Sequence, residues 1–234
     1  MIKVILFDLD GTLLPMDQDV FVKAYFSGLS KKAAPYGYDA GELVKSVWAG
    51  TAAMVKNDGS VTNEQVFWNT FAKIYGEKAL KDKWVFDEFY ENEFDKVKEV
   101  CGFNPLAKTC VEELKKMGYR VSLATNPIFP EVATKARIRW AGLDYKDFES
   151  FTTYENSRHC KPNPEYYKDI LNALNVTPEE CMMVGNDVEE DMIARTLGIK
   201  VFLLTDCIIN KNNKDISVYP SGSFEDLIKL LKGM

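Results

Sequence analysis

The sequence predicts an α/β protein with a parallel β-sheet core and one large inserted α-helical segment. From residue 100 onward, short apolar runs alternate with helical segments, which is typical of a parallel sheet covered by helices. Residues 17–100 differ, because helical periodicity dominates there and no convincing strand occurs. The length of 234 residues suits a core interrupted by one large insertion.

Five short segments are candidate strands of the core. All are rich in residues that suit a strand buried on both faces. They are residues 3–7, 120–124, 151–153, 182–185 and 200–204. Together they predict a five-stranded sheet.

Capping signals mark the starts of several core helices. Three pairs place a capping side chain before a proline at the first helical position: Asn104-Pro105, Asn163-Pro164 and Thr177-Pro178. Glu180 completes a predicted capping box with Thr177. Ser223 is predicted to begin the last helix, over residues 224–231, and Gly233 to end it.

The insertion is predicted to be a small helical bundle. Its helices are expected at residues 20–29, 41–55, 63–75 and 84–100. The Asn57-Asp58-Gly59 turn and a Thr62/Gln65 capping box separate two of them. We therefore expect a core from residues 1–16 and 101–234, and a helical insertion from residues 17–100. Most of the many aromatic residues of the insertion are expected to form its own core, and some to line a substrate pocket.

Composition limits the classes of partner. The net charge of -6 and pI near 5.1 lack the basic footprint of a nucleic-acid or anionic-membrane binder. The apolar run at residues 2–7 is too short to span a bilayer, so we expect a cytoplasmic protein. Five widely spaced cysteines without a C-x-x-C pair predict reduced thiols rather than disulfides or zinc. A monomer and a homodimer both stay open.

Two carboxylates follow the first strand, in Asp8-Leu9-Asp10-Gly11-Thr12. Ligands of open α/β sheets bind at the carboxyl ends of the strands. Two neighbouring carboxylates need a shared proton or a cation, and Mg²⁺ meets that need. Exposed aspartates in a strand-end turn are the alternative if this pentapeptide stands alone.

Two further segments carry phosphate-binding groups. Thr125 and Asn126 follow the second strand and could donate hydrogen bonds to phosphate oxygens at the same edge of the sheet. Taken alone, they read as ordinary turn formers. Lys161 directly precedes a proline-marked helix, where its ammonium could balance the charge of a carboxylate and a phosphate.

A second acidic cluster follows the fourth strand, in Gly185-Asn186-Asp187-Val188-Glu189-Glu190-Asp191. Asp191 lies one helical turn beyond Asp187, so both could serve a metal site. Acidic residues in the first turn of a helix also suit the helix dipole, which accounts for Asp191 without a metal.

In this order and spacing, the four segments resemble the four motifs of the haloacid dehalogenase-like superfamily. The insertion resembles the α-helical cap of the subfamily that includes phosphoglycolate phosphatase and β-phosphoglucomutase. The resemblance implies a Rossmann-like core and a phosphatase acting on a small phosphorylated metabolite. The sequence departs from the family's pattern at Asn186, where many relatives have the metal-binding aspartate directly after the glycine.

The resemblance also implies the roles of the site residues. Asp8 would attack phosphorus and form an aspartyl-phosphate, and Asp10 would protonate the leaving oxygen and then activate water. Thr125 and Lys161 would hold the phosphoryl oxygens. Mg²⁺ would bind the Asp8 carboxylate, the Asp10 carbonyl and Asp187, with Asp191 in support.

Four other functions stay open at this stage, one of them a non-catalytic interaction protein, which the complete acidic set argues against. A mutase would use the same core residues for phosphoryl transfer. A phosphonate-cleaving enzyme would need a Schiff-base lysine in the cap, for which Lys23, Lys45 and Lys56 are candidates. A signalling module that resembles a response-regulator receiver would carry a long-lived aspartyl-phosphate. His159 and Cys160, both near Lys161, are expected to be a surface residue and a structural thiol.

Overall fold

The computed structural model describes residues 1–233, and its sheet has five parallel strands. In chain order the strands are β1 (Val4–Phe7), β2 (Arg120–Leu123), β3 (Cys181–Gly185), β4 (Lys200–Leu204) and β5 (Ser221–Gly222). Their spatial order is β2-β1-β3-β4-β5, so β1 lies between β2 and β3. The loops after these three strands therefore meet at one edge.

Helices cover both faces of the sheet, as the predicted fold class requires. Ile5 and Phe7 point to one face, which packs against α6 (Pro105–Lys116) and α9 (Phe224–Lys232). Val4 and Leu6 point to the other, which packs against α8 (Pro164–Leu174) and the 3₁₀ helix Met192–Leu197. Asn104, Asn163 and Ser223 cap their helices as predicted. The Thr177/Glu180 capping box begins a 3₁₀ helix of three residues.

The strand predicted at residues 151–153 is wrong. Phe151 forms one bridge with Leu123, supported by hydrogen bonds from Leu123 N to Ser150 O (2.9 Å) and Thr152 N to Leu123 O (3.2 Å). The chain then turns, because Thr153 N donates to the Asn156 side chain. The fifth strand is instead β5, whose two residues are too few to show a period in the sequence.

All secondary-structure elements within residues 18–100 are helices, joined by short turns and loops. The α-helices are α1 (Gln18–Ala33), α2 (Ala40–Val55), α3 (Asn63–Tyr75), α4 (Glu77–Lys81) and α5 (Lys83–Asn92), with 3₁₀ helices at Ala34–Tyr36 and Phe94–Val100. The Thr62/Gln65 capping box is present. The single helix predicted at residues 84–100 is wrong, because the backbone leaves helical geometry at Glu93. The 3₁₀ turn that follows puts Phe94 and Val97 on one buried face.

The helical insertion is joined to the core at two adjacent points. Met16 and Cys101 form an antiparallel bridge, and Gly102 N donates to Pro15 O at 2.7 Å. One apolar cluster runs from the sheet into the insertion. In this cluster the ring centres of Phe94, in the insertion, and Trp140, in α7 (Glu131–Trp140) of the core, lie 5.0 Å apart. Within residues 1–233, no helix has both the length and the apolar character needed to cross a membrane.

Candidate active site

The carboxyl ends of β1, β2 and β3 bring the predicted residues to one place. Asp8 follows β1 directly, and its backbone N–H donates to Val184 O of β3 at 2.9 Å. On the other side, Ala124 N donates to Phe7 O at 2.6 Å, which sets Thr125 beside Asp8. Side chains of both residues are buried, and both line the same pocket.

Lys161 is a buried cation of this site. Its ammonium lies 2.8 Å from Asp8 Oδ1 and 2.6 Å from Asp191 Oδ1, and its side chain has no exposed surface. Burial alone would lower the pKa of Lys161, but the carboxylates of Asp191 and Asp8 together raise that pKa well above its ordinary value. Lys161 is therefore a fixed positive charge.

Thr12 and Asn186 hold the loop that carries Asp8. The Thr12 hydroxyl lies 3.3 Å from Asp8 Oδ2 and 2.9 Å from Asn186 Oδ1. Asn186 Nδ2 donates in turn to Cys207 O at 2.6 Å. Gly11 has a φ of +82°, and a Cβ there would lie 2.3 Å from Asn186 Nδ2, so glycine alone suits this turn. Asn186 is thus a buried structural residue.

Asp10 is paired with an arginine. Its Oδ2 forms an ion pair with the Nη1 group of Arg137, a completely buried side chain of α7. The Arg137 guanidinium also lies 4.4 Å from the Phe129 ring centre. Burial raises the pKa of Asp10, and the charge of Arg137 opposes that rise. Among the described residues, Asp10 Oδ1 is buried and has no hydrogen-bond partner.

Asp187 and Asp191 have different environments. Asp187 Oδ1 accepts hydrogen bonds from Glu189 N (2.7 Å) and Glu190 N (2.9 Å), which caps the turn. Both oxygens of Asp191 are engaged, Oδ1 by Lys161 and Oδ2 by Asp187 N at 2.9 Å. Asp191 is completely buried, and burial raises its pKa despite the ammonium of Lys161. Asp187 therefore has the less engaged carboxylate of the two.

Thr125 and Asn126 lie where the sequence predicts them. The carbonyl of Thr125 accepts from Thr152 Oγ1 (2.6 Å) and Tyr166 Oη (2.8 Å), which fixes the strand end. Asn126 Nδ2 donates to Glu190 Oε2 at 3.0 Å. Burial raises the pKa of Glu190 to about 8. Asn126 Oδ1 is buried without a partner among the described residues.

Sequence reasoning missed Thr12, Arg137 and Glu190 as site residues. The sequence does indicate that Arg137 is unusual, because its helical spacing places it on the same face as Ala133, Ala136 and Trp140, which are all buried. A charged residue on the apolar stripe of a helix needs a partner. The structure supplies that partner as Asp10.

Two features near Lys161 have structural explanations. His159 is not a free surface residue, because its Nδ1 lies 2.7 Å from Asp169 Oδ2 and its ring packs on Gly59 of the insertion. Burial raises the pKa of the Cys160 thiol to about 12, so the thiol stays protonated. Cys160 is a structural thiol, as expected.

A pocket of about 370 Å³ opens from these residues into the insertion. We call its polar end the floor, formed by Asp8, Asp10, Thr125, Asn126, Asp187, Glu190 and Asp191. We call the apolar side chains from α1, α2, α3 and α5 the walls. The aromatic residues of the walls are Phe21, Tyr25, Phe26, Trp48, Phe67, Trp68, Phe86 and Tyr90. More insertion aromatics line the pocket than the sequence analysis expected.

Comparison with known proteins gives consistent matches. A model of haloacid dehalogenase-like hydrolases matches residues 2–206. Pyrophosphatase PpaX of Bacillus velezensis is 25% identical over 199 residues, covering 85% of this chain and 81% of that protein. The PpaX of Bacillus cereus is 26% identical over 205 residues, with 85% and 81% covered. A HAD phosphatase from Thermococcus onnurineus superposes with a TM-score of 0.61 at 19% identity, over 99% of both chains. A predicted phosphoglycolate phosphatase from Haemophilus somnus also gives 0.61, at 18% identity over 98% of both chains.

Proposed function

The chain belongs to the haloacid dehalogenase-like hydrolases, and on this basis we propose that it is a phosphatase that uses Asp8 as its nucleophile. The observation that carries the proposal is the position of the Asp8 carboxylate. It lies at the end of β1 on the pocket floor, between the Lys161 ammonium and the Thr12 hydroxyl. A buried carboxylate held in one orientation beside a fixed cation suits attack on a phosphorus atom that carries negative charge.

In the first step, a carboxylate oxygen of Asp8 bonds to phosphorus as the bond to the leaving oxygen breaks. Asp10 is proposed to carry a proton on Oδ1 while Arg137 holds Oδ2, and it gives that proton to the leaving oxygen, so the leaving group departs as an alcohol. Asp10 then takes a proton from water, whose oxygen attacks the aspartyl-phosphate and releases phosphate and the free Asp8 carboxylate. The unpartnered Oδ1 of Asp10 is the atom proposed to move these protons.

The phosphoryl oxygens need donors on the floor. Lys161 offers a charge already held next to Asp8, and Thr125 offers a buried hydroxyl at the end of β2. Asn126 would release its contact with Glu190 to donate to phosphate. These groups are proposed to stabilise the charge of the phosphoryl group during transfer.

The floor suits a Mg²⁺ ion by its charge and its ligand atoms. Asp8, Asp187, Glu190 and Asp191 contribute carboxylates there, whereas the Lys161 ammonium pairs with only two of them, Asp8 and Asp191. Within residues 1–233, no three His, Cys, Asp or Glu side chains form a metal site by themselves. Mg²⁺ commonly takes one or two carboxylates and completes its shell with waters and substrate phosphate.

The residues proposed to hold the ion are the Asp8 carboxylate, the Asp10 carbonyl and Asp187. Asp187 is preferred to Asp191, because both Asp191 oxygens already bond to protein groups. A bound Mg²⁺ would offset the negative charge of the phosphoryl group.

The alternative activities receive less support. Lys23, Lys45 and Lys56 are absent from the residues that line the pocket, which argues against a Schiff-base mechanism. The receiver-like reading is set aside, because the chain belongs to a hydrolase family. A mutase would use the same floor, and turnover of a bisphosphate without phosphate release would distinguish it.

Phosphate release from a panel of phosphomonoesters tests the proposal. We expect release that requires Mg²⁺, stops in EDTA and is lost in Asp8→Asn. Asp19→Asn, at an exposed position in the first turn of α1, is the matched control and should keep full activity. Equal phosphate release by wild type and Asp8→Asn would contradict the proposal.

A further inference from the structure

The pocket walls surround the space for the leaving group, so their chemistry indicates which leaving groups the pocket can bind. From the lining of the pocket we infer that the enzyme prefers phosphomonoesters whose leaving group is flat, apolar or aromatic, and carries no second negative charge. The inference rests on the proposed phosphatase function and concerns the same site. It separates this chain from an enzyme built for pyrophosphate or for a phosphorylated carboxylic acid.

The first argument is the chemistry of the walls. Aromatic side chains from four helices face the space into which the leaving group would extend. Flat apolar groups bind between such rings, both because water is released and because rings prefer offset or edge contacts. The volume of about 370 Å³ lies in the range of pockets that enclose a small organic molecule.

The second argument is that the hydroxyl groups which the insertion helices present to the pocket are already paired. Tyr25 Oη and Tyr90 Oη lie 2.8 Å apart, and Thr51 Oγ1 donates to Val47 O at 3.0 Å. Burial raises the pKa of Tyr25 to about 12, so this phenol stays neutral. A polyhydroxylated leaving group would find few free partners here, and its buried hydroxyls would be left without hydrogen bonds.

The third argument is charge. Among the lining residues, all within the described part of the chain, no helix of the insertion contributes a lysine or an arginine. Lys211, which does line the pocket, belongs to the loop after β4. Lys161 and Arg137 are already paired with carboxylates of the floor. A second anionic group held against the walls, away from Lys211, would therefore lose its hydration without gaining a countercharge.

Trp48 and Trp84 form a matched pair for the test. Trp48 lies on α2, is 48% exposed, lines the pocket and packs 5.7 Å from Phe26. Trp84 lies on α5, is 46% exposed and packs 5.2 Å from Tyr36, away from the pocket lining. Because both rings are half exposed, either can be replaced without opening a cavity in the core.

The experiment compares kcat/KM for 1-naphthyl phosphate, phosphoglycolate and pyrophosphate. We expect the naphthyl ester to be preferred by at least about tenfold, and Trp48→Ala to remove about tenfold of its kcat/KM. Trp84→Ala should change it by less than about twofold. Trp48→Arg places a cation on the wall and should shift the ranking toward phosphoglycolate. A wild-type preference for either small anion would overturn the inference.

A binding measurement separates this inference from the proposed function. The fluorescence of 1-naphthol, the product alcohol, reports binding without any turnover. We expect saturable binding that Trp48→Ala weakens and Trp84→Ala does not. If naphthol binds in this way but no ester is hydrolysed, the proposed chemistry fails and the assignment of the pocket stands. If esters are hydrolysed but naphthol does not bind at Trp48, the pocket assignment fails and the chemistry stands.

Discussion

The Asp10 carboxylate pairs with Arg137, a side chain of α7 that is entirely buried. This ion pair occupies Oδ2 of Asp10 and leaves Oδ1 as the oxygen without a partner among the described residues. Two further contacts fix the arginine, from its Nε to Ala133 O (3.4 Å) and from its Nη2 to Thr134 Oγ1 (3.3 Å). Arg137 is therefore a positioning residue that acts on the chemistry through Asp10.

Replacing Arg137 should lower kcat and leave KM nearly unchanged. Asp10 is proposed to transfer a proton in the transition state, so losing its orientation affects the chemical step more than substrate binding. We expect Arg137→Met to lower kcat by about a hundredfold. Arg137→Lys should recover little, because an ammonium cannot reproduce the fork of contacts.

The control for this prediction is Arg139→Met on the same helix. Arg139 is exposed and makes a long ion pair with Asp95 (3.6 Å), so steady-state kinetics should match those of the wild type. A rise in KM with unchanged kcat in Arg137→Met would show that Arg137 binds substrate directly instead.

Lys161→Met should destabilise the fold by about 3 kcal/mol, because it leaves Asp8 and Asp191 buried beside each other without a cation. Removing one of those charges should relieve the cost. We therefore expect Lys161→Met/Asp191→Asn to lose less stability than the sum of the two single variants. Urea unfolding in EDTA measures this, and strictly additive losses would contradict the coupling.

Gly185→Ala should disturb the site from the end of β3. A Cβ at Gly185 would lie 2.1 Å from Asp191 Oδ2, and Asp191 cannot move without losing Lys161 and Asp187 N. We expect a loss of about 2 kcal/mol in the free energy of unfolding. Gly233→Ala is the control, because its Cβ would meet its nearest neighbour at 3.6 Å. Equal thermal stability of the two variants would disprove the clash.

Asn63 links the insertion to two loops of the site. It is completely buried at the start of α3 and accepts from Asn57 Nδ2 (2.8 Å). Its side chain donates to Pro127 O (3.2 Å) and its backbone N–H to Ser157 O (2.9 Å). Asn63→Ala leaves the partners of the side chain unpaired and should cost about 2 kcal/mol of stability. Proteolysis of the insertion should also become faster. Asn92→Ala removes an exposed contact to Glu88 O and should do neither.

The Arg120–Glu149 pair should make a small, pH-dependent contribution to stability. Arg120 donates two hydrogen bonds of 2.6 Å to Glu149, and these lower the pKa of the carboxyl below its ordinary value. A lowered pKa stabilises the fold above the unfolded value of about 4.3, and this stabilisation disappears as the pH falls through the folded value.

Glu149→Gln is therefore expected to lose about 0.5 kcal/mol at pH 7, a modest effect because the pair is partly exposed. The difference from the wild type should shrink toward about pH 3, as the Glu149 carboxyl takes up a proton and becomes uncharged like the glutamine that replaces it. Thermal unfolding at the two pH values checks this. A difference that persists unchanged at the lower pH would rule out the ion pair as its cause.

The sequence predicted the parts of the site that depend on strand ends. Asp8 and Thr125 come directly after apolar runs, and parallel strands bring their carboxyl ends together whatever the intervening chain does. The Lys161 position followed in the same way from a proline-marked helix start. These signals are local, so they can be read without knowing the fold.

Other features depended on contacts that the sequence does not display. Arg137 and Asp10 are 127 residues apart in the sequence, and a helical pattern alone does not reveal that they pair. Asp187 and Asp191 lie on one turn, so spacing could not decide which of them contacts Lys161. The β5 strand has two residues and owes its place to pairing with β4.

The bridge between Met16 and Cys101 makes the insertion a segment that can be exchanged. The insertion leaves and rejoins the core at paired backbone positions, so its two ends lie side by side. A different helical segment with the same end-to-end spacing could be grafted between these residues without redirecting β1 or α6. We expect that recombination at this junction can exchange the pocket walls as a cassette, while the residues proposed for phosphoryl transfer keep their positions.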